Sequence, residues 1–156
     1  MIVFLDSGIL GLISSPNERA EVTACQNWVL GLLAKGVYVV SSDICDYEVR
    51  RSLLLLETQQ FSKVNLDRLD RWREVIDFLP LTTNVMQTAA GVWADARRRG
   101  LPTAELKNID ADMIIVAQWL LLSDEYQGRR ITISTTNVKH LLPFCDAMAW
   151  REISFS

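Results

Sequence analysis

Short apolar runs alternate along the chain with stretches of helical periodicity. Ile2-Val3-Phe4-Leu5 is continuously apolar, the pattern of a strand buried on both faces, and it stops at Asp6. A first turn of helix is expected over Ser7 to Ile13. Ser15-Pro16-Asn17-Glu18 has the form of a capping box with proline at the first helical position, and predicts a helix from there to Lys35, stopped by Gly36. Val37 to Val40 reads as a second strand. Helices follow from Asp43 to Glu57 and from Asn65 to Asp77, then a short strand from Phe78 to Leu81. Val85, Ala89, Val92 or Trp93, and Ala96 share one helix face, and Gly100 ends that helix. Leu101 to Asn108 reads as a loop. Asp112 to Leu122 is a strongly apolar helix, Ile131 to Ser134 a strand, and Ala149 to Ile153 a last strand. Strands separated by helices require crossover connections, which favour a parallel sheet covered on both faces. In such sheets sites form beyond the carboxyl ends of the strands, where Asp6 already stands.

Composition narrows the class. A chain of 156 residues that is 49% apolar and 22% charged suits a single domain with one core. No apolar run approaches the length needed to span a bilayer, and the opening MIVFLD lacks a basic leader, so an intracellular, cytoplasmic protein with no membrane contact is expected. Cys25, Cys45 and Cys145 are odd in number, match no zinc spacing and sit among apolar residues, which predicts reduced core thiols. The net charge of −3 argues against nucleic-acid binding by phosphate neutralisation alone. Any such contact must be local, or depend on cations that offset protein carboxylates. The basic residues do cluster, at Arg50-Arg51, Arg97-Arg98-Arg99 and Arg129-Arg130, as solvated helix ends also do.

The acidic residues carry the chemistry. Asp6, at the end of a buried strand, is either the N-cap of the next helix or part of a site. Glu48 lies one turn into the helix after the second strand, within Asp46-Tyr47-Glu48-Val49-Arg50-Arg51; alone it reads as a surface glutamate paired with Arg51 or Ser52. Asp110 and Asp112 open the most apolar helix. Two residues apart on a helix is about 200°, so both cannot face one site; Asp110 is assigned to the cap and Asp112 to the site. Ser134-Thr135-Thr136-Asn137 again places small polar side chains at a strand's carboxyl end, and Thr136 or Asn137 suits the cap of a short helix at Val138. Carboxylates gathered in this way repel and are usually held by a cation. Mg²⁺ takes a few carboxylates and keeps water elsewhere, and such ions activate water against a phosphodiester.

These residues together resemble the PIN-domain family, in particular its toxin branch in bacterial toxin–antitoxin pairs. The likeness rests on Phe4-Leu5-Asp6-Ser7, on Tyr47-Glu48-Val49-Arg50-Arg51, on Asp112-Met113-Ile114-Ile115-Val116-Ala117, and on Thr135-Thr136-Asn137 with Lys139-His140, in order over nearly the whole chain. Many members carry a fourth acid where Asn137 stands, so a second metal ion is in question and Asp110 is a substitute for it. The resemblance implies a three-layer α/β/α sandwich around a mostly parallel sheet, in one domain over residues 1–156. It implies an endoribonuclease using Mg²⁺ or Mn²⁺ on structured RNA, with Asp6, Glu48 and Asp112 as metal ligands, Asn137 beside them, and Ser7, Thr135, Arg51 and Asp110 as further candidates. An antitoxin partner and a homodimer are also implied.

Other classes fit less well. A phosphatase with an aspartate nucleophile needs a second acid two residues after Asp6, where Gly8 stands. The lone histidine, His140, has no nucleophile elbow near it and reads as a surface or cap residue. The remaining alternative is a PIN-like fold without catalysis, kept as an RNA- or protein-binding module. Trp93 and Trp119 lie on apolar helix faces and read as core rather than as base-stacking platforms, with Trp72, between Arg71 and Arg73, less certain.

Overall fold

In the computed structural model, residues 1–56, 62–101 and 110–154 are described. Most of the expected loop at 101–108, and Glu57 at the expected end of a helix, lie outside them. Strand β1 (Ile2–Leu5) is fully buried at every position, because it pairs on both edges and is covered on both faces. Strands β2 (Tyr38–Ser42), β3 (Asp77–Leu79), β4 (Ile131–Ser134) and β5 (Ala147–Met148) complete a five-stranded sheet in the order β3-β2-β1-β4-β5, and every pairing is parallel. Phe4 stands opposite Val40 on one side and Ile133 on the other, and Leu5 opposite Ser134.

Helices α1 (Ser7–Ser14), α2 (Ala20–Ala34), α3 (Asp43–Leu56) and α4 (Ser62–Val75) belong to the crossovers that lead from β1 to β2 to β3. Helices α5 (Thr83–Arg98) and α6 (Ala111–Glu125) belong to the return crossover to β4, and α7 (Val138–Leu141) lies between β4 and β5. Right-handed crossovers running in opposite directions along the sheet place their helices on opposite faces, which makes the three-layer sandwich. Ile9, Leu10, Ile13, Leu32 and Leu69 from the first group and Ile115, Ala117 and Leu122 from the second close the core. The three cysteines are free and buried, as expected. Among the described residues, no helix is long and apolar enough to cross a membrane.

Helix α2 begins at Ala20, not at the expected capping box. An N-cap must give its carbonyl to the first helical bond. The Ser15 carbonyl instead accepts a hydrogen bond from Arg68 at 2.6 Å, its N–H closes α1 onto Leu12, and its hydroxyl accepts the Asn17 N–H in a local turn. Ser15 therefore ends one helix rather than opening the next. Gly36, with φ of 70°, stops α2 as its position suggested. The second correction is at the carboxyl end. The last strand is Ala147–Met148, and Trp150–Glu152 forms a 3-10 turn. Trp150 packs on Trp28 with ring centres 5.8 Å apart, and the Trp28 indole donates to the Ile153 carbonyl, so this apolar run serves packing onto α2 rather than sheet pairing. The third strand also starts one residue early, at Asp77, where the carboxylate accepts the Tyr38 hydroxyl at 2.8 Å.

Helix α3 is pinned to α4 by ion pairs. Arg50 bridges Asp46 at 2.8 Å and Asp70 at 2.7 Å, while Arg73 reaches Asp43 at 3.0 Å and Asp46 at 3.3 Å. Asp46 is nearly buried, so its two arginine partners offset the loss of water. The network fixes the roll of α3, and with it the direction of Glu48.

Candidate functional site

The chain runs from β1 outward to β2 and β3, then returns to β4 on the other side of β1. The order thus reverses between β1 and β4, and a crevice opens beyond their carboxyl ends. Asp6 and Thr135, each the residue after its strand, meet there. The Thr135 hydroxyl donates to Asp6 Oδ2 at 2.6 Å, and the Ser7 N–H donates to Asp6 Oδ1, also at 2.6 Å. The Ser7 hydroxyl lies 3.3 Å from the same Oδ1. Asp6 is therefore both things its sequence position allowed: it caps α1 through one oxygen, and it is held at the crevice through the other. The Thr135 hydroxyl also accepts the Asn137 N–H at 3.0 Å, so one buried side chain ties the turn after β4 to the carboxylate after β1.

Asp112 comes from the first turn of α6. Asp110 is the N-cap of that helix, its carboxylate accepting the Met113 N–H at 3.3 Å, which leaves Asp112 to face the crevice. Partial burial, followed by the negative charges of Asp6 and Asp110 and, more weakly, Glu48, pushes the Asp112 carboxyl up to about 6 from its usual 3.8, while His140 pulls it down. Glu48, half-buried on α3, is 4.0 Å from Arg51. Asp6 is the common neighbour of the group. Below it the fully buried Cys45 thiol is pushed well up, first by burial and then by Asp6, with a smaller contribution from Glu48. Burial, then the charges of Asp146, Asp112 and Asp6, push Cys145 up to about 12. One strand end, the second turn of α3 and the start of α6 thus bring Asp6 and Glu48 within electrostatic reach of Asp112.

The grouping is open rather than closed. Among the described residues, no three carboxylate, imidazole or thiol groups stand close enough together to hold a metal ion directly. Asn137 occupies the N-cap position of α7 but its amide makes no cap hydrogen bond, and the residue is exposed at the rim. Its expected cap role is thus not filled by its side chain. Arg50 is spent on the α3–α4 network, Arg99 pairs with Asp95 and Arg130 with Asp146, so most of the basic clusters serve local ion pairs.

Two residues at the site carry more than the sequence reading assigned them. His140, read as a surface or cap residue, is indeed exposed, but its Nδ1 is 3.9 Å from the Asp112 carboxylate. A four-residue helix after β4 turns it back over the crevice, and no periodicity announces that. Gly8, considered above only as the absence of an acid, is where the first turn of α1 meets the turn after β4: a Cβ there would collide with the Thr136 hydroxyl. The Asp-Ser-Gly order was the available signal, since a glycine costs about 1 kcal/mol against alanine inside a helix and so points to a packing constraint there.

No protein-family model matches the sequence, and no curated protein matches it. Solved structures do. The chain is similar to a chain of VapBC2 from Rickettsia felis, determined bound to a DNA fragment from their promoter, with a TM-score of 0.69 and 16% identity over 96% of this chain and 99% of that one. It is similar to a chain of FitAcB from Neisseria gonorrhoeae, with a TM-score of 0.67 and 19% identity over 97% of this chain and 100% of that one. VapBC-1 from nontypeable Haemophilus influenzae gives a TM-score of 0.66 at 15% identity over 97% and 100%. At these identities the likeness is one of fold. The chain has the PIN-like α/β fold over the 96–97% of it that these structures cover.

Proposed function

We propose that a chain with this PIN-like fold and this acidic crevice is a metal-dependent endoribonuclease, the toxin member of a toxin–antitoxin pair. The observation that carries the reading is the Asp112 carboxyl, lifted to about 6 by burial and by Asp6, Asp110 and Glu48 at the switch point of the sheet. A carboxyl perturbed by burial together with specific charge partners, placed beyond strand ends, is a functional-site candidate on physical grounds. The similar solved structures are VapBC and FitAcB complexes, which supports a cognate antitoxin as partner. A homodimer is part of the same proposal.

The residues suit a hydrated Mg²⁺ or Mn²⁺. Mg²⁺ keeps several waters and binds through one or two carboxylates, so a set too open for direct ligation by three groups is the appropriate kind. Asp6, Glu48 and Asp112 would hold it jointly, one or two of them directly and the rest through its bound waters, with the Asn137 amide able to orient a bound water. When bound, the ion supplies charge stabilisation at the phosphodiester and a water of lowered pKa. The protein's own part is preorganisation. Thr135 and the Ser7 N–H fix both oxygens of Asp6, so the carboxylate does not reorient when substrate arrives. Asp112 holds a proton at mildly acid pH and gives it up above about 6, so both metal binding and cleavage rise as pH increases through that value.

The test pairs cleavage with metal binding. The protein is expected to cut RNA in Mg²⁺ or Mn²⁺, to stop in chelator, and to gain melting temperature on Mn²⁺ addition, with both effects absent from Asp6→Asn. RNA binding with neither cleavage nor metal-linked stabilisation would instead favour the non-catalytic module.

A further inference from the structure

Helix α3 carries an exposed aromatic ring one residue before Glu48. Tyr47 is 55% exposed and is not among the side chains packed on the core. Arg51, one turn later, sets its guanidinium 5.3 Å from the centre of that ring and 4.0 Å from the Glu48 carboxylate. Long side chains on a helix lean toward its N-terminus, so a residue at i+4 covers the one at i. Tyr47, Glu48 and Arg51 thus make one patch, aromatic, acidic and cationic, in the first two-thirds of α3 and joined to the site through Glu48. Arg50 is committed to Asp46 and Asp70, whereas the 4.0 Å pair of exposed Arg51 with half-buried Glu48 contributes little to stability. An exposed tyrosine and an exposed arginine are thus stacked beside a site carboxylate.

We propose that Tyr47 is a stacking platform for one unpaired base of the RNA, with Arg51 engaging the phosphate beside it. The proposal rests on the ribonuclease reading of the Asp6 crevice and names where the substrate strand lies. A tyrosine face takes any base, since every base offers a π-surface, and an arginine next to it adds both stacking and a phosphate contact. For a protein of net charge −3, a local aromatic–cation patch is also the way to grip a polyanion without a broad basic surface. The contact favours loops and single strands, where a base can be splayed out, over perfect duplex.

The test uses the Asp6→Asn protein, so that RNA stays intact, and a single-stranded RNA carrying 2-aminopurine, whose fluorescence falls on stacking. Titration is expected to quench the probe. Tyr47→Ala in that background is expected to bind roughly ten-fold more weakly and to lose the quenching, while Tyr47→Phe and Tyr47→Trp keep both. In the cleaving protein, Tyr47→Ala is expected to raise KM by about the same factor while leaving Mn²⁺-dependent stabilisation unchanged. Equal affinity and quenching in Tyr47→Ala, with cleavage by the unmodified protein intact, would overturn the proposal alone and assign the ring, with exposed Leu54 and Leu55 farther along α3, to a protein contact. Loss of binding in Tyr47→Phe equal to that in Tyr47→Ala would overturn it in favour of the hydroxyl. Failure of the Asp6→Asn protein to bind RNA at all, with no cleavage by the unmodified protein, would bring down the ribonuclease reading and this proposal together.

Discussion

Asp112→Asn should make the metal-free protein more stable and abolish the proposed RNA cleavage. The carboxyl is pushed from 3.8 to about 6. Each unit corresponds to roughly 1.4 kcal/mol, so the full shift represents about 3 kcal/mol of unfavourable charge at neutral pH. Its side chain is 40% exposed, and solvent screening reduces that figure to about 2 kcal/mol. Asp112 also sits in the first turn of α6, where the helix dipole favours negative charge by up to ~1 kcal/mol. The net gain from neutralising it is then about 1 kcal/mol, or roughly 2–4 °C in Tm for a domain of this size. The pH dependence has a definite sign. The folded state binds a proton that the unfolded state has released between 3.8 and about 6, so the native protein loses stability as pH rises through that window. The penalty is complete above about 6 and absent below 3.8. Thermal unfolding in chelator at pH 7.5 should therefore show the variant ahead, and the gap should close as pH falls toward 4. Mn²⁺ should reverse the order, because only the unmodified protein gains stability from the bound ion. An Asp112→Asn protein no more stable than its parent at pH 7.5 in chelator would refute the claim that burial and neighbouring carboxylates together disfavour the charge at this position.

Other substitutions separate roles at the site. Asp6→Asn should keep the fold and lower RNA cleavage by roughly 10²-fold or more, since the amide preserves shape but not charge. Asp110→Ala should cost about 1 kcal/mol in a denaturation curve by removing the α6 cap, and leave cleavage largely intact. A stably folded Asp110→Ala protein without activity would reverse the assignment of the two aspartates. Thr135→Val should cost about 1–3 kcal/mol, because it strips a buried donor from Asp6 and an acceptor from the Asn137 N–H, and should reduce cleavage as well; an unchanged melting curve would contradict the anchor role. Gly8→Ala should leave the melting temperature nearly unchanged, the roughly 0.5–1 kcal/mol gained by alanine in a helix offsetting the displacement of the exposed Thr136 side chain, but should impair cleavage through that displacement, with Thr136→Ala in the same chain restoring it.

The protein organises its site through two kinds of hold. Backbone-proximal hydrogen bonds fix Asp6, which lies in the rigid centre of the sheet. Ion pairs fix α3, which brings Glu48 from the side, and a cap fixes α6, which brings Asp112. A perturbation of the Asp46–Arg73 pair is therefore expected to reach the crevice through Glu48 rather than through Asp6.

Much of this was legible along the chain, for identifiable reasons. A central parallel strand is buried on both faces, so the continuous apolar run Ile2–Leu5 declared itself, and the β-branched Ile131-Thr132-Ile133 marked the second central strand, and with them the residues that follow, Asp6 and Thr135. Helical periodicity with a cap separated Asp110 from Asp112, because 100° per residue does not allow both to face one way. Local pattern fails where a residue's partner is distant. Ser15 resembled a capping residue until Arg68, from a helix far along the chain, took its carbonyl. The apolar run at 149–153 resembled a strand until Trp28 offered it a packing surface instead. The collision that keeps Gly8 a glycine, the Thr135 bond to a carboxylate 129 residues away, and the return of His140 to Asp112 depend on which strands lie side by side. The order β3-β2-β1-β4-β5 decides that, and strand order is set by the closing of the whole core rather than by any segment of it.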